Sequence, residues 1–317
     1  MSYITGTLTT ATPAGDLYTL IAAELTATGW TLHDTVVIGG RTHRVWKSAA
    51  AGNVAGLDWY LDVAIATGNT GHIWLLPFEF FDSATDLGYR GPSYVTSSIT
   101  LDATTFSRYG ATGYALETNW APVAGHTGFN KITTATTSFG YWISITRNRV
   151  IALTSLIPSS VFYVGLYESY APSAAFAGAA NFPLIIATVG PDANSSTSGG
   201  TAAAIMTRYP RISSATGGTS DMVLTLNGSL NFDEMRTGAV PAGATPITGR
   251  FEAIPVTLVP IATSPYFGTW GQLYDIAFIA AQATVVRGDT MTIDGNPWVL
   301  ATYSASPGPL AVTFRAA

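Results

Sequence analysis

Tyr141-Trp142-Ile143-Ser144-Ile145-Thr146-Arg147-Asn148-Arg149-Val150 is the stretch that decides the fold class. From Trp142 to Thr146 apolar and polar side chains alternate, the period-two signature of a half-buried strand. Residues 141–154 and 160–169 read as paired strands, with Asn148, between Arg147 and Arg149, as a turn.

Working outward, the same grammar recurs toward both ends. Val36-Val37-Ile38, Gly39-Gly40 and residues 41–47 form an expected hairpin with a primed turn. Residues 59–66 and 71–81 read as two more strands, and 82–109 as turn-rich. Further on, 251–261 and 274–281 are extended, and 288–303 is a hairpin turning at Asp294-Gly295. A Pro/Gly break at 306–309 precedes a last strand over 310–315. One helix interrupts the pattern. Thr12 is a suitable N-cap, Pro13 suits the first helical position, and Leu17, Leu20, Ile21 and Leu25 make one apolar face ending at Gly29. Residues 190–200, 213–220 and 236–249 are Gly/Ser/Thr/Pro-rich and read as long loops.

The expected class is therefore mainly β with an N-terminal α+β unit and an antiparallel, sandwich-like body with long loops. Three regions are expected: an α+β domain over 1–90, a β-rich middle over 91–250, and a C-terminal β segment over 251–317 that packs on the first. There is also an internal echo. Asp34-Thr35-Val36-Val37-Ile38-Gly39-Gly40 matches Asp289-Thr290-Met291-Thr292-Ile293-Asp294-Gly295, and each is followed by a strand with a Trp, Trp46 or Trp298.

Composition narrows function. Of 317 residues, 47% are hydrophobic and only 10% charged, where a soluble domain carries roughly 25%. A chain packed against other chains needs less charge than a free monomer. Net charge is −5 and no basic block is present, which argues against a phosphate-tracking nucleic-acid surface. There is no cysteine, so disulfides, thiol catalysis and Cys-based zinc sites are excluded. No apolar run is long and uninterrupted enough to read as a membrane helix, and no targeting segment is expected.

Catalytic motifs are sought next. Neither a G-x-S-x-G elbow nor a P-loop occurs. His33, His43, His72 and His126 lack metal-ligand spacing and read as surface or boundary residues. Glu79 with Asp82 and Asp86, and Asp233 with Glu234, are the paired carboxylates a glycosidase would need. Solvated strand faces and polar turns explain them better. Trp30, Trp46, Trp59, Trp74 and Trp142 sit in or beside strands and read as core. Tyr109, Tyr114 and Trp120 lie in a loop region and are better placed to stack on a sugar. No catalytic, cofactor-binding or metal-binding residue is assigned, and no cofactor is expected.

An ordered set of segments resembles a group of tailed-bacteriophage virion structural proteins. It comprises a helix closing on Thr28-Gly29-Trp30, then residues 141–150, Phe162-Tyr163-Val164-Gly165-Leu166-Tyr167, Phe182-Pro183-Leu184, Gly271-Gln272-Leu273-Tyr274-Asp275 and residues 288–295. The resemblance implies a non-enzymatic component of the tail, baseplate or neck, located in the virion and assembled in the host cytoplasm. The implied partners are copies of itself and other tail or neck proteins, without specific nucleic acid or membrane insertion. The hairpins at 34–47 and 288–303 and the loop region 190–220 are the expected contact elements. The alternative is a receptor-binding protein for a host cell-surface glycan, and a cell-wall hydrolase is a third reading.

Overall fold

A computed structural model describes residues 1–38, 40–54, 56–66, 72–78, 80–84, 86–89, 98–101, 104–107, 114–115, 130–133, 138–156, 161–169, 184–189, 203–206, 223–226, 253–260, 271–280, 287–301 and 310–316. Strand β1 (Ser2–Leu8) precedes helix α1 (Pro13–Ala27), then come β2 (Thr31–Ile38), β3 (Arg41–Ser48), β4 (Trp59–Ala66) and β5 (His72–Phe78). Short strands follow: β6 (Phe80–Asp82), β7 (Leu87–Tyr89), β8 (Ser98–Leu101), β9 (Thr104–Ser107), β10 (Tyr114–Ala115) and β11 (Asn130–Thr133). The second half holds β12 (Phe139–Ile145), β13 (Arg149–Thr154), β14 (Val161–Ser169), β15 (Leu184–Val189), β16 (Ala203–Met206) and β17 (Val223–Leu226). It ends with β18 (Ala253–Pro260), β19 (Gly271–Ala280), β20 (Thr290–Ile293), β21 (Asn296–Ala301) and β22 (Leu310–Arg315).

The protein is mainly β with antiparallel sheets, as its alternation pattern implies. Twelve strands form one sheet in the order β1-β12-β13-β14-β15-β16-β17-β18-β19-β22-β21-β20. An extra pairing of β14 with β19 joins Tyr167 to Leu273 and Ser169 to Gly271. Strands β14 through β19 thereby pair in a closed cycle, which leaves none of the six with a free edge in that ring. A second sheet has the order β11-β5-β4-β3-β2, and two small sheets hold β10-β7-β6 and β8-β9.

Helix α1 starts where Pro13 fits the first turn and stops where Gly29 takes φ +88. Thr12 stands at the N-cap without a side-chain cap bond, contrary to the expected capping role. The helix buries Leu17, Tyr18, Ile21 and Leu25. Each of the three aliphatic residues contributes about 1.5–3 kcal/mol when fully removed from water. The buried stripe shares one hydrophobic core with Trp59, Leu61 and Val63 of β4 and with Ile143 and Ile145 of β12.

Strand pairing runs across the expected region boundaries. β1 pairs along its whole length with β12, Ser2 opposite Ile145 and Leu8 opposite Phe139. The C-terminal strands lie against the opposite face of β12. Ser144 Oγ donates to the Arg315 carbonyl at 3.0 Å, so Ser144 is fully buried rather than on a solvated face. The stretch expected as one strand over 71–81 is two, β5 and β6, and short strands β7, β8 and β9 occur within the stretch expected to be turns.

Candidate functional site

Three polar clusters brace neighbouring strands and turns, and among the described residues β2 and β20 are each paired on one side. The first cluster lies where β14 changes partner. Arg149 on β13 is fully buried, and its Nε and Nη2 both reach Asp275 Oδ2 of β19 at 3.0 Å. Its Nη1 donates to the Ser144 carbonyl at 2.9 Å and to Ser144 Oγ at 3.0 Å. Burial pulls the guanidinium below its ordinary value, and the neighbouring Asp275 charge opposes that. Asp275 takes φ +57, an uncommon conformation that Asp tolerates better than most residues. Gly165 takes φ +148 beside it, and a Cβ there would stand 2.3 Å from the Asn148 carbonyl oxygen and 2.5 Å from Arg149 Cα. The phenol of Tyr163 completes the cluster, donating to the Leu166 carbonyl and accepting from the Tyr274 amide at 3.3 Å. Burial pushes that phenol far above its ordinary range.

The second cluster is the turn between β12 and β13, the one Asn148 marks in the sequence. Its carbonyls are docking points for the other sheet. Trp30 Nε1 donates to the Thr146 carbonyl at 3.0 Å, and Trp59 Nε1 and Ser48 Oγ donate to the Arg147 carbonyl at 3.1 and 2.7 Å. Arg147 Nε donates to the Thr28 carbonyl at the C-terminal end of α1, a favourable place for a cation. The guanidinium lies where a Cβ at Gly29 or Gly52 would collide with it. Trp30 and Trp59 meet edge to face with ring centroids 4.6 Å apart.

The third cluster corrects the expectation for histidine. His43 is fully buried on β3, and its Nδ1 is 2.8 Å from Oδ2 of the equally buried Asp62 on β4. Burial raises the Asp62 carboxyl above its ordinary value, with the bond to His43 opposing. His33 is exposed, shares a 3.2 Å contact with Ser83 Oγ, and stacks edge to face on Tyr60. The His72 side chain and His126 lie outside the described residues. Among the described residues, no group of three His, Asp or Glu side chains is placed to hold a metal ion.

The paired carboxylates are brought together in part. Asp82 and Asp86 flank the β6–β7 turn, where Asp86 takes φ +52. The Asp86 carboxyl is raised by partial burial first, then by the charges of Asp34 and Asp82. Glu79, Asp233, Glu234, Tyr109 and Trp120 lie outside the described residues, as does the Tyr114 side chain. Trp30, Trp46 and Trp59 are buried core residues, as their strand setting implies, while Trp74 and Trp142 are half-buried.

Neither hairpin stands off the body as a free arm. β3 is paired on both sides and buries His43, Val45, Trp46 and Ser48, so only β2 faces outward. β2 ends the five-stranded sheet, and Val37 and Leu32 on it are 68% and 50% exposed. β20 ends the twelve-stranded sheet, where Thr290 and Thr292 are exposed and Ile293 seals a small core with Ile279 and Leu300. The β20–β21 turn falls at Asp294-Gly295, with φ +50 and +76, the conformation of a primed turn. No helix among the described residues is long and apolar enough to cross a membrane.

No protein-family profile matches the chain, and a search of curated proteins returns no significant match.

Proposed function

We propose that this chain is a non-enzymatic structural subunit of a tailed-phage particle, packed into a ring or sleeve of the baseplate, tail tip or neck. The observation that carries the proposal is β2, paired on one side among the described residues, where Val37 is 68% exposed on a chain whose charged fraction is only 10%. An edge strand invites another chain to pair with it, and sparse surface charge does little to keep copies apart. The described polar clusters support the same reading. The buried pairs Arg149–Asp275 and His43–Asp62 each bridge two strands and are closed off from solvent on at least one side. They brace strands against one another.

The experiment has two arms. Antibody-gold labelling and peptide mass spectrometry of purified particles should place the chain in the virion. Light scattering of the purified chain at its highest soluble concentration should report a multimer. A chain that stays monomeric and is missing from particles refutes the proposal.

A further inference from the structure

The turn that closes the β20–β21 hairpin carries a reactive dipeptide. Asp294-Gly295 is the one Asp-Gly pair in the chain, and both residues are exposed. Ile293 faces Asn296 as the last pair of the ladder, so Asp294 and Gly295 stand outside it. Among the described residues, neither the Asp294 carboxylate nor the Gly295 amide nitrogen has a hydrogen-bond partner. The space around the turn is open too, with nothing within 4 Å of where a Cβ on Gly295 would stand.

Asn296 supplies a second, independent observation. Its Nδ2 donates to the Asp294 carbonyl oxygen at 3.0 Å, and its Oδ1 accepts from Arg315 Nη2 at 2.6 Å. Arg315 thus holds the Asn296 amide against the peptide group whose nitrogen belongs to Gly295. A donor on that carbonyl stabilises the negative charge that builds as the nitrogen gives up its proton.

We infer that Asp294 is a site of spontaneous backbone isomerisation, in which the Gly295 nitrogen closes on the Asp294 side-chain carboxyl and the chain reopens as isoaspartate. Ring closure forms the N–Cγ bond and expels one water, made from the amide proton and the carboxyl oxygen. Opening takes one water back. Attack at Cγ returns aspartate, whereas attack at the α-carbonyl leaves the chain running through Cβ and Cγ. The net formula is unchanged and no oxidant or cofactor is needed. Isoaspartate lengthens a two-residue turn by one backbone atom, so the φ pair of +50 and +76 that closes the hairpin is lost. β20 has β21 as its one partner strand among the described residues, and Ile293 is then drawn out of its small core with Ile279 and Leu300.

The test ages the full chain near neutral pH at body temperature, folded and in urea. Trypsin releases residues 288–315 as one peptide, and electron-transfer fragmentation separates isoaspartate from aspartate at equal mass. Isoaspartate should accumulate at position 294 of the folded chain no more than about tenfold slower than in the unfolded chain, a barrier difference of about 1.4 kcal/mol. A folded chain that stays unchanged while the unfolded chain converts would overturn the inference. Asp294→Asn should form the same ring with loss of ammonia and convert faster, and an equal or slower rate would overturn the ring route. Asn296→Ala should slow conversion of the folded chain, and an equal rate would overturn the assistance from Asn296. Hydrogen exchange on the aged, isomer-enriched protein should show lost protection at residues 290–293, and full protection there would overturn the unpinning of β20.

Discussion

Asp275→Ala strips the carboxylate from a guanidinium that has nowhere else to send its charge. Arg149 is 0% exposed, and two of its nitrogens lie 3.0 Å from one Asp275 oxygen. Its third nitrogen is held by the Ser144 carbonyl and hydroxyl, both uncharged. Breaking a buried pair from one side costs about 3–5 kcal/mol, because the remaining ion is left uncompensated. Asp275 is itself 22% exposed, so water can reach the vacated place, and the loss falls toward about 3 kcal/mol. Alanine at φ +57 adds about 1 kcal/mol of backbone strain. Asp275→Asn offers a control, since an amide keeps one acceptor and tolerates the same φ, and it should lose roughly half as much. Adding Arg149→Met to Asp275→Asn should recover part of the loss, because the orphaned charge is then gone. Urea unfolding followed by tryptophan fluorescence reads these differences as shifts in midpoint at constant slope. A loss below about 1 kcal/mol for Asp275→Ala, the size of an exposed pair, would refute the claim that this pair braces the junction of β13, β14 and β19.

Two further outcomes are expected. Gly165→Ala should destabilise by about 1–3 kcal/mol or more, since its Cβ meets backbone rather than a movable side chain, and the check is the urea midpoint together with soluble yield. Asp62 has a raised carboxyl in the folded state, so its contribution to stability is complete below the unfolded value near 3.8 and is lost as pH rises through the folded value. Asp62→Asn should therefore flatten the stability–pH curve above pH 3.8, and an unchanged curve would rule that role out.

What the sequence disclosed is what local chemistry decides. The helix ends at Gly29, and the turns at Asn148 and Asp294-Gly295 fall where their residue types predict, because each depends on a few adjacent φ angles. β1 was not legible. Gly6 interrupts its alternation, and its partner lies in the segment Phe139–Ile145. Ser144 reads as solvent-facing by alternation, yet Arg315, distant in the chain, and Arg149, across the next turn, cover it. His43 escapes a local reading for a related reason, since β3 is a central strand with both faces covered and no alternation to report that. A signal was present in its neighbour. Asp62 is a lone acid in the otherwise apolar run Trp59–Ala66, and a buried carboxylate demands a partner.

The pairing of β1 with β12 also sets a schedule for biosynthesis. Ser2 meets Ile145, so the strand made earlier must wait for more than a hundred residues before its hydrogen-bonding partner exists. At ribosomal speeds of about 5–20 residues per second, that wait is on the order of ten seconds. Such long-range pairings slow folding, because loop closure is paid before contact is gained. Throughout the interval the nascent chain presents an unpaired strand beside the apolar face of α1. Ribosome-bound chains of this protein therefore have good reason to keep a chaperone close until the turn at Asn148 has emerged.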